Sequence, residues 1–322
     1  MKPFKTHNEQ IEILKSRGLN IQDEHYHQVK YFLKFENYYD IINGYKDLFL
    51  LENNSNIFKA NTSFHDIYTL HQLDRHFRHL LLPKLLIFEA NLKSLLSYYF
   101  SEEFQYQNFY LDSKNYHIKS DKESKKLKDL ITGLSKLIKY KSEEFGPIKH
   151  HLDHYNHVPS WVLIKFMTFG QVVHMYRLLL QRLKNSIAKE FALTFNKEYS
   201  CEIELAISDL ESIMRTANFF RNICAHENRL YNFHLYRKPP KMRVASILSI
   251  NEQYIQYDNL FTMIAMLKLV HPKDEYNRFK ASLEYSFATY QEIADSNKIF
   301  QSVPFQEIMD QMGFPKNWES LI

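Results

Sequence analysis

Six glycines in 322 residues leave this chain few ways to build a sheet. Sheet-rich folds turn tightly and often, and glycine is the usual residue where φ must be positive. The scarcity predicts long helices, and the apolar spacing agrees. Across residues 202–226, Ile203, Ala206, Ile207, Leu210, Ile213, Met214, Ala217, Phe220 and Cys224 fall on one stripe at the helical period. On the same wheel Glu204, Ser208, Glu211, Arg215, Asn218, Asn222 and His226 share a polar face.

The rest of the chain reads the same way. Thr6 and Glu9 form a capping-box pattern ahead of Ile11, Ile13 and Leu14, and Gly18 stops that helix. Helical spacing continues over 22–35, and an aromatic stretch at 36–51 is a helix candidate broken at Gly44. A long helical run covers 63–100, and Pro83 is expected to kink or split it. Pro159 suits the first turn of a further helix, and Phe169-Gly170 reads as a bend. Helical patterns resume at 252–270 and 274–294, with a short tail helix from Pro304. The expected class is all-α, arranged as an N-terminal helical region (1–60), a helical core (61–235) and a C-terminal helical region (236–322).

Charge and cysteine content exclude more than they select. A net charge of +4, from 41 basic and 37 acidic residues, gives no global nucleic-acid signal, so any such binding has to be local. The clearest cluster is Arg229, Arg237, Lys238, Lys241 and Arg243, with no acid among them; a second is the lysine-rich stretch 114–141. Two cysteines cannot make a disulfide framework or a cysteine-rich zinc site, and they suit a reducing cytoplasm. His150, His151, His154 and His157 lie between Pro147 and Pro159, and read as solvated histidines on a surface turn. No metal and no cofactor is expected. The first residues lack an apolar signal core, and Lys84 interrupts the best apolar run, so no membrane span is expected.

One segment carries chemistry. Arg221-Asn222-Ile223-Cys224-Ala225-His226 puts a permanent cation, a carboxamide and an imidazole at the end of the best-patterned helix. Arg221 falls on the apolar stripe. Its guanidinium must therefore leave through a groove or find an anionic partner, with Glu89 and Asp74 as candidates. Arg221 and His226 are about 140° apart on an ideal helix, so a helix end near Glu227 is needed for both to face one cleft. Cys224 lies on the stripe and reads as core.

The surrounding blocks add a resemblance. Lys2-Pro3-Phe4 with residues 10–19, Asn37-Tyr38-Tyr39 with Gly44-Tyr45, and Leu73-Asp74-Arg75-His76-Phe77-Arg78 come first. Phe88-Glu89-Ala90-Asn91-Leu92-Lys93, Pro159-Ser160-Trp161 with Thr168-Phe169-Gly170, and Arg221-Asn222-x-x-Ala225-His226-x-x-Arg229-Leu230-Tyr231-Asn232 follow, ending in Gly313-Phe314-Pro315 with Trp318. In this order they resemble the Abi-like (AbiD/AbiF) abortive-infection proteins of the HEPN superfamily.

That resemblance implies a HEPN-like helical bundle core with helical extensions, acting as a metal-independent RNA endonuclease in phage defence or as a toxin. Arg221, Asn222 and His226 would be the catalytic residues, and Arg229, Asn232, Arg237, Lys238 and Lys241 the RNA contacts. It further implies a homodimer, RNA as substrate, and a cognate noncoding RNA or other antitoxin as restraint. The alternative it leaves open is a non-catalytic RNA- or nucleotide-binding module that forms a ribonucleoprotein with a structured RNA. Lys165 departs from the pattern, which usually has Glu there, and this puts in doubt what the Trp161 block contacts.

Overall fold

Thr6 caps the first helix as its spacing predicts. Its side chain accepts from the Glu9 amide, the Glu9 carboxylate returns the bond, and Gly18 leaves the helix at φ +89°. The computed structural model describes residues 3–52, 56–235, 243–255 and 259–322, and among them no strand forms. The helices are α1 (His7–Ser16), α2 (Tyr26–Phe35), α3 (Phe64–Glu103), α4 (Asp121–Ser142), α5 (Pro147–Tyr155), α6 (Ser160–Leu163) and α7 (Phe169–Leu178). Then come α8 (Gln181–Tyr199), α9 (Ile207–Ala225), α10 (Val244–Ile247), α11 (Leu260–Lys268), α12 (Lys273–Ser296), α13 (Phe305–Gln311) and α14 (Trp318–Leu321).

The 40-residue α3 is the spine. Its buried stripe from Phe64 through Leu70, Phe77, Leu85, Leu92 and Phe100 takes α6, α7, α8, α9 and α12 around it. Each fully buried side chain of this size contributes roughly 1.5–3 kcal/mol. The expected split at Pro83 does not occur. Pro83 and His79 both lie on the exposed side, where water can satisfy the carbonyl that loses its N–H partner.

Other expectations shift in detail. The histidine segment is not a surface turn but the helix α5, opened by Pro147 at its first position, with His150 and His154 rings 4.3 Å apart. Phe169-Gly170 is the start of α7 rather than a bend, because Thr168 and Gln171 cap it. The 36–51 stretch makes only a π-helical turn, Tyr39–Asn43, and a 3-10 turn, Asp47–Phe49.

α9 begins at Ile207, five residues later than the apolar stripe implies. Asp209 stops it there by accepting from the Ala206 amide, and Arg243 docks on the same carboxylate at 2.7 Å. The helix is more enclosed than a two-faced pattern suggests, because α3, α7, α8 and α11 all pack on it. Glu211 on its polar face meets the Lys184 ammonium at 3.6 Å, and Asn218 lies against Gly170 of α7. Farther along, Gly313 turns at φ +86°, where a Cβ would fall 2.0 Å from the carboxamide nitrogen of Asn259, whose carboxamide oxygen caps α11.

Candidate functional site

α9 ends where the chain reverses. The Glu227 amide donates to the Cys224 carbonyl at 3.3 Å and the Asn228 amide reaches the Ile223 carbonyl at 3.0 Å. This is the two-bond C-terminal cap that normally places glycine in the left-handed conformation. Here Glu227 occupies that position at φ +53°. The cap leaves His226 at the last corner of the helix, exposed, and among the described residues its ring has no hydrogen-bonding or ionic partner.

The segment after the corner is held from α3. Asp74 is fully buried and accepts from the Leu230 amide at 3.1 Å, the Tyr231 amide at 2.5 Å and the Tyr45 hydroxyl at 2.6 Å. Arg78, one turn on, closes an ion pair with Asp74 and donates to the Asn228 carbonyl at 3.3 Å. Burial pushes the Asp74 carboxyl up, while the Arg78 guanidinium and the donors around it pull it back. The Tyr45 ring stacks on Tyr231 with centroids 5.7 Å apart. Arg229 donates to the Gly44 carbonyl and lies 3.4 Å from the Asp47 carboxylate.

Arg221 finds the anionic partner its position demands. Of the two candidates it is Glu89, whose Oε2 lies 3.4 Å from the Arg221 Nε, with the side chains 28% and 8% exposed. The pair is in ionic contact but not in hydrogen-bonding geometry, since both atoms lack a hydrogen-bond partner. A second edge of the guanidinium donates to the Asn222 carboxamide oxygen at 3.3 Å. Glu89 is also reached by Lys93 at 2.7 Å, and Lys93 donates to the Met167 carbonyl. Beside this cluster a cavity of about 540 Å³ opens, lined by Glu89, Lys93, Trp161 and Lys165 among others.

Arg221 and Asn222 are therefore in contact, and His226 sits at the end of the same helix. Asn232 keeps its Oδ1 buried without a hydrogen bond. Arg229 is engaged by the chain's own Gly44 and Asp47. Arg237, Lys238 and Lys241 lie outside the described residues. Cys224 is core, with burial pushing its thiol up to about 12, which removes it as a nucleophile. Sequence reasoning missed the Asp74–Arg78 clasp; its one legible sign was an acid and a base at i,i+4 on a predicted core helix.

No helix among the described residues is long and apolar enough to cross a membrane. Comparison with curated proteins and with solved structures found no significant match. The profile of the Abi-like protein family matches residues 31–232, a span that holds the Asp74 clasp, the Glu89 cavity and the α9 corner. On that match, which covers well over half of the chain, it belongs to the Abi-like family and so to abortive infection, the defence against phage.

Proposed function

We propose that this protein is a metal-independent RNA endonuclease of the HEPN type, and that Arg221, Asn222 and His226 do its chemistry. The observation that carries the reading is the α9 corner. A histidine with no side-chain partner among the described residues ends the helix that also bears an arginine held, but not enclosed, by Glu89 and Asn222. The substrate supplies the nucleophile. The 2′-hydroxyl attacks the adjacent phosphorus, the bond to the 5′-oxygen breaks, and the products are a 2′,3′-cyclic phosphate and a 5′-hydroxyl. One imidazole accepts the 2′-hydroxyl proton and another donates to the departing 5′-oxygen, so two copies of His226 across a homodimer suffice. Arg221 offsets the charge that builds on the phosphorane-like oxygens.

The Arg221–Glu89 contact also favours a second reading. An arginine already paired can act as a fixed cationic contact, which would make the fold a non-catalytic holder of structured RNA. Incubating the protein with single-stranded RNA in EDTA and identifying the new ends separates the two. The nuclease reading predicts cyclic-phosphate and 5′-hydroxyl termini without metal. Strict dependence on a divalent cation, or RNA bound intact, overturns it.

A further inference from the structure

We propose that the cavity beside Glu89 is a base-recognition subsite that takes one unpaired purine of the RNA, with the neighbouring phosphate on Lys165. The inference rests on the endonuclease reading for its substrate, but its own evidence is separate. Trp161 stands at the cavity with 56% of its surface exposed, although the residues on either side of its helix, Ser160 and Leu163, are buried. A large aromatic ring exposed beside a cavity of about 540 Å³ offers a stacking platform to a planar ligand. Leu86 and Ile164 add apolar wall.

The polar groups fix which guest fits. Glu89 lines the cavity from a site 6% exposed, already facing two cations, Lys93 and Arg221. With Lys165 the group holds three positive charges against one negative, so an anionic ligand is favoured. Lys93 is committed to Glu89 and to the Met167 carbonyl, whereas Lys165 is exposed and among the described residues has no ionic partner. A flat base on Trp161 with its phosphate on Lys165 satisfies both features. Purines offer the largest stacking face and, in adenine and guanine alike, an exocyclic amine that donates to a carboxylate; uracil offers neither. Because Glu89 touches Arg221, a base seated here delivers its phosphodiester toward the α9 corner.

Tryptophan fluorescence reads the site directly, because the other indole, Trp318, is fully buried. The full-length His226→Ala protein, expected to cut RNA at least about a hundredfold more slowly, is titrated with decauridylate and with the same oligomer carrying one central adenine or guanine. Labelled copies of the oligomers give affinities for Trp161→Ala and Lys165→Glu made in that background. Both residues are exposed, and a thermal melt checks that each variant folds. The purine-containing oligomers are expected to quench Trp161 and to bind several-fold tighter than decauridylate. Trp161→Ala is expected to lose roughly tenfold in affinity for them and to erase the purine preference. Equal binding of all oligomers, or an unchanged Trp161→Ala, overturns the subsite. So does equally tight binding of free AMP or GMP, which would make this a mononucleotide site. Purine binding by a wild-type protein that cuts no RNA would keep this inference and sink the nuclease reading; cleavage without purine binding would do the reverse.

Discussion

Asp74 and Glu89 stand on one helix, fifteen residues and so about 22 Å apart, and each meets an arginine beside the same segment, residues 221–232. The results differ completely. Asp74 is sealed, its oxygens taken by a guanidinium, a hydroxyl and two amides, and Arg78 beside it is 3% exposed. Glu89 holds Arg221 at 3.4 Å without a hydrogen bond, beside an open cavity, and leaves that arginine more than a quarter exposed. A saturated buried network fixes one geometry, while an unsaturated one at a cavity wall keeps donors available. The difference divides residues 221–232. Arg229, Leu230 and Tyr231 serve the fold, whereas Arg221, Asn222 and His226 are the residues to which the proposed chemistry is given.

Replacing Asp74 with Ala should break the comparison most violently. It strands the Arg78 charge in the core and orphans two amides, at a cost of about 3–5 kcal/mol in denaturant unfolding. A loss under about 1 kcal/mol would mean that the clasp is no anchor.

Acid should attack the same end. Burial, with Arg75 second, holds the His71 imidazole down at about 4 in the folded chain, against an ordinary value of 6.5. The unfolded chain takes up that proton first as pH falls. The contribution of neutral His71 is therefore complete above pH 6.5, drains away between 6.5 and 4, and is level below. At about 1.4 kcal/mol per unit this amounts to about 3 kcal/mol. Melting temperatures across that range should fall less steeply in His71→Gln than in the wild type, and parallel curves would refute the assignment.

At the other end, removing only the carboxylate charge should matter less. Glu89→Gln leaves Arg221 able to reach water and Lys93 still bound to the Met167 carbonyl, so about 1 kcal/mol is expected. A loss as large as that of Asp74→Ala would erase the distinction. The smallest change goes the other way. Glu227→Gly relieves a left-handed residue at the α9 corner and should stabilise by roughly 0.5 kcal/mol, resolvable in a paired thermal melt.

Much of this was legible in the residues. Glycine scarcity and helical spacing predict the all-α fold, and the Thr6–Glu9 box and the α9 stripe from Leu210 to Cys224 sit where patterning puts them. The misfit of Arg221 on an apolar stripe left either a groove or an anionic partner, and Glu89 was one of the two candidate partners. What was not legible depends on which side of a helix meets water. Pro83 does not interrupt α3 because it lies on the exposed side, a fact of packing and not of spacing. The π-helical turn at Tyr39–Asn43 likewise has no spacing signal. The clasp role of Asp74 was hidden because two of its partners, the Leu230 and Tyr231 amides, are backbone groups more than 150 residues away.

Among the described residues the His226 ring has no structural partner, and in the proposed mechanism it moves the protons of RNA cleavage. That role is tested most directly by measuring RNA cleavage rate and melting temperature on the same preparation of His226→Ala. The account predicts an unchanged melt, within about 0.5 kcal/mol, and cleavage reduced by at least about a hundredfold. A variant that still cuts RNA at the wild-type rate would contradict it.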